Sequence, residues 1–510
     1  MKAHHDPLLH AKLSQRPNLL DLTPDLYAHF SSSLRYSTQA LPVNTLLDTL
    51  IRPNADTEAN PQSCIEWRHE PGEAVTHVVL GNARRPGGQW AENPVSASWD
   101  IGTLSYAEML SLPGYSYADH YLVANGEPMP DFQRPSRTQV ADYYAAYPAA
   151  VGISDTIHTS VQVADVSRTR DGFVIGSHGI RCRHLVLASG IFSVNIPPPP
   201  LLTPLASLHS STDPVLVIGS GFSAADVVLS TPPNRKIVHI YNWDPEHRPS
   251  PLRGCHHQAY PDYAGIYRRM KLAAVNSIKR RPATSPMARR KSNPFFNRRD
   301  WETVYEGLPN AKVLDVTTGE NSATVHIQLE SGEVVERVVG SLEYVVGRRG
   351  LLNYLSNDLR HEILEPSDLS EDSHRGPTLI SGKTLRAKAE SDLQVAPGVF
   401  IAGSLTGDSL VRHAFGGCVY AAGKITKAAH GTPDGCADEV AVMDGTAVPH
   451  TPTTSNRDGA KPLAPYANGM AHQDLHLDRR KLAKAVELSD MENRVWTDSG
   501  WWGPGCFIPR

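Results

Sequence analysis

A glycine-rich turn between two apolar runs carries the clearest chemical signal in the sequence. The first run covers residues 215–218 and stops at Gly219-Ser220-Gly221, after which small residues lead into a helical run over 224–229. A second apolar run at 236–241 completes a strand, helix and strand unit of about thirty residues. Gly219 permits the turn, Gly221 lets a pyrophosphate approach the backbone, and the helix N-terminus offers free N–H groups.

This order of elements predicts a dinucleotide site, and its alternative is an ordinary strand, turn and helix. The predicted binding residues of the turn are Gly219, Ser220, Gly221, Phe222 and Ser223. An acidic residue after the second strand would hold a ribose 2′-hydroxyl, whereas an arginine would accept a 2′-phosphate. Asp244 and Arg248 both follow that strand, so the residues alone leave NADH and NADPH open.

A second stretch with chemical potential covers residues 398–423. An apolar strand at 399–402 delivers Gly407 and Asp408, and the glycine pair Gly416-Gly417 opens a helix behind it. A carboxylate at a strand end can hold a ribose or ribityl hydroxyl while helix N–H groups face a ring system. The alternative is a buried strand and helix in which Asp408 only caps.

A third stretch, GGQW, covers Gly87, Gly88, Gln89 and Trp90. Two adjacent glycines before an aromatic residue allow backbone to lie flat against a planar ligand. A simple turn covered by a packed tryptophan is the competing interpretation.

Composition excludes several classes of protein. The chain has 510 residues and a formal net charge of -4, so we expect two domains plus extensions and no nucleic-acid or acidic-membrane binding. Six scattered cysteines without a C-x-x-C pair argue against a metal site or disulfide framework and favour a reducing compartment. We expect no membrane span and a cytoplasmic location. The basic stretch 268–299 favours a solvated insertion over a nucleic-acid patch.

The elements that position these residues repeat along the chain. Short strands with turns at Asp171-Gly172 and Ser331-Gly332 predict two β-meanders, each leading into an apolar exit strand. The predicted fold is therefore α/β, with two Rossmann-like dinucleotide-binding modules, β-meander insertions and a C-terminal extension. The predicted domains are 1–200 and 375–430 for the first module, 201–374 for the second, and 431–510 for a linker and a tryptophan-rich tail that docks on the body.

Four motifs together resemble the two-dinucleotide-binding flavoproteins, especially the flavin-dependent monooxygenases. They are GGQW at 87–90, LVLASG at 185–190, GSGFSAAD at 219–226 and AGSLTGD at 402–408. Within that group, HDPLLHAKL near the start, HVVLGNARRPGGQW and DPVLVIGSGFSAAD resemble the oxidative-stress-induced growth inhibitor family. The likeness runs from about residue 5 to residue 427 and covers neither the basic insertion nor the tail well.

The resemblance implies FAD along the first module, near the Gly87–Trp90 turn and Asp408, and NADPH on Gly219, Gly221 and Ser223. It implies a monooxygenase that inserts one oxygen atom of O₂ into a small organic metabolite, with no acid-base pair of side chains because the cofactor carries the chemistry. A catalytically silent regulatory or binding protein and a plain NADPH-dependent flavin reductase are the alternatives. Oligomeric state is left open.

The sequence departs from this resemblance at two places. The monooxygenase signature before the second glycine motif keeps only His209, with Thr203 and Leu205 at the Phe and Gly positions. The first module also has no G-x-G-x-x-G unit, which in the resembling proteins binds the FAD pyrophosphate. We therefore expect either a reading frame that starts roughly fifty residues upstream or a loss of tight FAD binding.

Overall fold

The computed structural model describes the chain in several stretches. They are residues 4–15, 24–32, 36, 40–54, 62–68, 72, 74–93, 95, 97–255, 257, 260–278, 299–364, 379–391 and 393–430. Two compact units divide the chain, Met1–Asp438 and Glu439–Arg510, and every described residue lies in the first. The predicted linker and tryptophan-rich tail at 431–510, and the basic clusters at 279–291, lie outside the described residues.

Helices and short strands alternate through the described part of the chain. The α-helices are α1 (Pro7–Ser14), α2 (Pro24–Ser32), α3 (Pro42–Ile51), α4 (Tyr117–Asn125), α5 (Arg137–Ala150), α6 (Phe222–Ser230), α7 (Pro261–Ile278), α8 (Trp301–Val304), α9 (Asn357–Ile363), α10 (Arg386–Ser391) and α11 (Phe415–His430).

The strands before residue 242 are β1 (Val79–Leu80), β2 (Ile157–His158), β3 (Val166–Thr169), β4 (Gly172–Ile175), β5 (Ile180–Cys182), β6 (Leu185–Leu187), β7 (Val194–Asn195), β8 (Val215–Ile218) and β9 (Ile237–Tyr241). The later strands are β10 (Tyr305–Pro309), β11 (Lys312–Thr318), β12 (Ala323–Gln328), β13 (Val334–Val339), β14 (Ser341–Tyr344), β15 (Arg348–Leu351), β16 (Leu379–Ile380), β17 (Gln394–Ala396) and β18 (Val399–Ile401).

The second module is a parallel sheet covered on both faces. Its four strands lie in the order β10, β9, β8, β14, and every neighbouring pair is parallel. Val215 and Val217 of β8 pack with helices α6 and α7, whereas Leu216 between them packs with the β11–β13 meander. All five residues of β9 are buried, as a strand covered on both faces requires. The Rossmann-like architecture predicted for this module is confirmed.

The first module has the same components in a more irregular form. Strand β6 pairs in parallel with β18, β17 runs antiparallel to β18, and β3, β4 and β5 form an antiparallel meander. Helices α1 to α3 contribute to the same apolar core as β6 and β18. The predicted meander and exit strand are therefore present, and the α/β fold class is confirmed.

Two strand boundaries in the first module differ from those predicted. The sequence over 76–80 predicts a strand, of which only the two residues of β1 form. Residues 158–166 predict another, of which only the ends form, in β2 and the start of β3. Ser160 and Asp165 have φ values of +58° and +56°, which no strand accommodates. The chain between β2 and β3 therefore turns instead of extending.

Helix α5 forms as its sequence predicts. Ser136 caps the helix and Gln139 returns the hydrogen bond, so the capping box is complete. Val140, Tyr143 and Tyr144 lie on its buried face, which makes them core residues and fixes the helix against the loop that carries GGQW.

A search for membrane spans gives a negative result within the described stretches. None of their helices combines the length and the apolar character that crossing a bilayer needs.

Candidate nucleotide-binding site

The turn after β8 fits closely against the neighbouring strand connection. Gly219 has φ +154°, and an added Cβ would lie 2.5 Å from the carbonyl oxygen of Val345. Its N–H donates to the carbonyl of Ile240 at 3.0 Å. Because a side chain fits neither the dihedral angle nor the space, only glycine serves here. Gly219 fixes the turn at the point where β8, β9 and β14 end.

A buried histidine supports this turn from inside the sheet. His239 of β9 is 0% exposed, and its Nε2–H donates to the carbonyl of Gly219 at 2.7 Å. Its Nδ1 lies 2.8 Å from the hydroxyl of Tyr305 and accepts that proton, because the other ring nitrogen must donate. Burial lowers the pKa of His239 to about 4, so the ring is neutral at physiological pH.

Gly221 and the start of α6 remain open toward a ligand. Gly221 precedes α6 with extended backbone, and no side chain of the described residues caps the helix. The first N–H groups of a helix have no acceptor within it, and here Phe222 and Ser223 carry them while only partly buried. An added Cβ on Gly221 would meet nothing closer than Pro251, at 3.9 Å. The fold therefore has room for a side chain at Gly221, but that side chain would collide with a phosphate group that approaches the turn.

The loop after β9 places Asp244 and Arg248 in one small turn. The Asp244 carboxylate accepts the backbone N–H of His247 at 3.0 Å, which lowers the pKa of Asp244. The Arg248 N–H donates to the carbonyl of Asp244 at 3.0 Å, and its side chain is exposed. The carboxylate is partly engaged by its own turn, whereas the guanidinium extends toward solvent.

The GGQW turn lies beside the segment that leaves β14. Gly87 and Gly88 have φ of +116° and +50°, and the Trp90 ring lies 6.3 Å from that of Tyr144. Arg348, at the start of β15, donates to the side-chain oxygen of Gln89 at 3.1 Å. The turn is therefore tight and packed on α5, and Gln89 joins it to the second module.

Two more charged groups lie around Arg348. Asp226 of α6 and Arg137 of α5 are close enough that each shifts the pKa of the other and of Arg348. Burial is the largest cause in all three cases, raising the pKa of Asp226 and lowering those of the arginines. The hydroxyl of Tyr263 donates to Asp226 at 2.7 Å. Arg348 belongs to the segment after β14, whereas Asp244 and Arg248 belong to the loop after β9.

Asp408 is engaged by other parts of the protein. Its Oδ2 accepts the backbone N–H of Leu41 at 2.9 Å and the side-chain amide of Asn44 at 2.6 Å. Its Oδ1 lies 2.6 Å from a guanidinium nitrogen of Arg386. Leu41 precedes α3 without a capping side chain of its own, so Asp408 caps α3 from a residue 367 positions away. Gly407, just before it, turns with φ +90°.

The N-terminus of α11 is closed by the same segment of α3. The Gly417 N–H donates to the side-chain oxygen of Asn44 at 2.9 Å. An added Cβ on Gly416 would lie 2.3 Å from the carbonyl oxygen of Val43, so the two backbones are in direct contact. Asn44 thus links Asp408 and the first turn of α11, the two groups predicted to face a flavin.

Comparison with known proteins supports the predicted relationship. Oxidative stress-induced growth inhibitor 1 of Mus musculus is 25% identical over 464 residues, covering 83% of this chain and 89% of that protein. The Homo sapiens protein of the same name is 25% identical over 465 residues, with the same shares covered. The predicted resemblance to this group is confirmed. No protein-family profile matches the chain.

The solved structures that resemble the chain do so at low similarity. A flavin-containing monooxygenase from Stenotrophomonas maltophilia is 15% identical, with a TM-score of 0.40 over 69% of this chain and 91% of that one. An ornithine hydroxylase from Pseudomonas aeruginosa in its reduced form is 12% identical, with a TM-score of 0.39 and the same shares covered.

The two cofactors implied by the resemblance to flavin-dependent monooxygenases fit unequally. The Gly219–Ser223 turn fits a dinucleotide pyrophosphate, because Gly221 leaves room and the start of α6 is uncapped. FAD does not fit at Asp408 as the residues stand, since Asp408 and the first turn of α11 already hold partners from α3. The roles of Gly87, Gly88, Gln89, Trp90, Gly407 and Asp408 in flavin binding stay predictions.

Several residues of the site carry no local sequence signal. Asn44, His239, Arg137 and Arg348 act through partners brought near by the fold, and their spacing in sequence follows no periodic pattern. Asp226 alone stands inside a motif that the sequence singles out, GSGFSAAD. Its burial and its arginine neighbours follow from tertiary packing.

Proposed function

We propose that this protein is an NADPH-dependent oxidoreductase whose second module holds the dinucleotide at the Gly219–Ser223 turn. The observation that carries the proposal is the close fit of Gly219 against Val345 beside an open Gly221. This pairing places uncapped helix N–H groups where the strand ends converge, which is the site of dinucleotide pyrophosphates in such sheets.

The chain's own residues define how NADPH would be held. The N–H groups of Phe222 and Ser223 would bind the pyrophosphate, and the exposed Arg248 would bind the 2′-phosphate of the adenosine ribose. Asp244 would compete for the ribose hydroxyl in NADH, but its carboxylate is already held by His247. Bound NADPH supplies a hydride, and the protein positions it.

More specifically, we propose that this oxidoreductase is a FAD-dependent monooxygenase that transfers one oxygen atom of O₂ to a small organic metabolite. FAD in the first module would need Asp408, and therefore requires the segment around Leu41 and Asn44 to leave that carboxylate. The Gly87–Trp90 turn would then lie on the flavin side of the cleft between the modules.

A second candidate function is a catalytically silent binding or regulatory protein with the same fold. The contacts of Asp408 with Leu41, Asn44 and Arg386 favour it, because they fill the place predicted for a flavin with protein groups. Such a protein would retain the nucleotide turn of the second module and bind NADPH without turnover.

Absorbance and turnover of the purified protein separate these two candidates. For the oxidoreductase we expect a flavin band near 450 nm and NADPH oxidation in air. NADPH binding with neither signal, even after incubation with excess FAD, would contradict the oxidoreductase and support the silent protein. Peroxide release without an oxygenated product would indicate a plain flavin reductase.

A further inference from the structure

The cluster of Arg137, Arg348 and Asp226 contains more positive than negative charge, and Arg137 is buried while the other two are half-buried. Arg137 is 7% exposed, and its Nε has no hydrogen-bond partner among the described residues. Its guanidinium lies 3.8 Å from the centre of the Trp99 ring, and one terminal nitrogen contacts the carbonyl of Ala97 at 3.4 Å. Because burial keeps water away from this nitrogen, its N–H lacks the acceptor that water would otherwise supply, which is energetically unfavourable.

The hydrogen-bond partners of Arg348 among the described residues are neutral side chains. It donates to the side-chain oxygens of Gln89 and Asn93, both at 3.1 Å, and its guanidinium lies 4.7 Å from the centre of the Phe192 ring. The nearby carboxylate is that of Asp226, whose pKa is raised by burial. Within the part of the chain that the structure describes, the two guanidinium groups therefore share the negative charge of Asp226, and a buried charge without a partner is costly.

The position of the cluster relative to the turn limits what it can bind. The strand order is β10, β9, β8, β14, and the adenosine half of a dinucleotide lies over the strand that follows the helix, here β9. The other half must therefore extend across β8 toward β14 and the residues after it. Arg348 begins β15, which residues 345–347 separate from β14, so the cluster is on the side where the nicotinamide of the proposed oxidoreductase would lie.

We propose that Arg137 and Arg348 form an oxyanion subsite that binds the carboxylate of a small organic-acid substrate. The inference rests on the proposed function, because the subsite gains its meaning from a nicotinamide held next to it. Two guanidinium groups give a carboxylate charge-assisted hydrogen bonds in a fixed geometry. The Asp226 carboxylate, hydrogen-bonded by Tyr263, neutralises one of the two guanidinium charges. One positive charge remains, so the subsite suits a ligand with a single carboxylate.

The test uses sodium acetate, labelled with ¹³C at its carboxyl group, as the probe. Its NMR linewidth is titrated against the full-length protein alone, saturated with NADH, and saturated with NADPH. We expect acetate to bind in all three states. Arg137→Gln and Arg348→Gln should each weaken it by about tenfold or more, the loss typical of one charged hydrogen-bonding partner. Arg137→Lys, which keeps the charge, should retain part of the binding.

Arg85→Gln is the matched control. Arg85 is in the same loop region as GGQW but is exposed, and it pairs with Asp142 at 3.0 Å. Its replacement should leave acetate binding unchanged. NADPH affinity, measured separately by nucleotide fluorescence, should be the same in all four variants.

Three results would overturn the inference. In the first, NADPH displaces acetate but NADH does not, and the glutamine variants lose affinity for NADPH only. That result would assign the two arginines to the 2′-phosphate of NADPH. Acetate binding that is equal in wild type and both glutamine variants would remove the subsite, as would its absence in every state. Failure of the proposed function would be seen separately, because the wild-type protein would then not bind NADPH. The acetate titration of the nucleotide-free protein would still test the two arginines.

Discussion

The two glycines of the Gly219–Ser223 turn have different roles. Gly219 is required by the protein, since its φ of +154° and its contact with Val345 exclude a side chain. Gly221 is not required by the fold, since an added Cβ has 3.9 Å of clearance, and its role is to bind the proposed nucleotide. The sequence motif predicts a role for both glycines, but only the structure shows which of them the fold itself needs.

The turn should weaken in acid because of His239. Burial lowers the pKa of His239 to about 4, whereas an unfolded histidine has a pKa of about 6.5. Between these values the unfolded chain binds a proton that the folded chain does not. The stability contributed by neutral His239 is therefore fully present above pH 6.5 and decreases toward pH 4, by up to about 3 kcal/mol.

The measurement is the free energy of unfolding in urea from pH 4 to pH 7. His239→Gln should remain able to donate to Gly219 and should show a shallower decline than wild type over that range. Parallel profiles would mean that His239 titrates normally, and that it does not hold the turn in its neutral form.

Elements show where local sequence is a good guide and where it is not. Strand β8, helix α6 and strand β9 form almost at the predicted residues, because an apolar run, two glycines and small residues all favour the same local structure. The capping box of α5 is another local signal that holds. By contrast, α3 has its partners at Asp408, Gly416 and Gly417, more than 360 residues away, and no periodicity indicates such a contact.

The docking of α3 on α11 gives a matched pair of glycine variants. An alanine at Gly416 would place its Cβ 2.3 Å from the Val43 carbonyl oxygen, whereas at Gly417 the nearest atom is 3.8 Å away. We expect Gly416→Ala to destabilise the protein by about 1–3 kcal/mol through overpacking. Gly417→Ala should be neutral or stabilise by up to about 1 kcal/mol, because alanine favours helix.

Urea denaturation of both variants checks this prediction. Equal stabilities for Gly416→Ala and Gly417→Ala would show that α3 does not pack on α11 in solution. The engagement of Asp408 by Leu41 and Asn44 would then lose its support, and a flavin at Asp408 would become the simpler interpretation.

At the scale of the whole molecule, the turn proposed for NADPH is open, whereas the position predicted for FAD is filled by groups of the chain itself. The two-module α/β fold could be predicted from the sequence, because meanders and apolar exit strands repeat along it. Whether the predicted flavin position of the first module is open or filled could not be predicted from the sequence, because it depends on where α3 packs. The charged cluster was equally hidden from sequence reasoning, because Arg137, Asp226 and Arg348 come from three separate elements.

NADPH binding by the second module is tested most directly by a fluorescence titration of wild type and Gly221→Val. We predict saturable binding to wild type and at least a tenfold weaker affinity for Gly221→Val, with unchanged circular dichroism, because the added side chain fills the path of the pyrophosphate. Gly81→Val is the control, since an added Cβ there meets nothing within 4 Å and it lies in the first module. Equal NADPH affinity in wild type and a folded Gly221→Val would contradict the site.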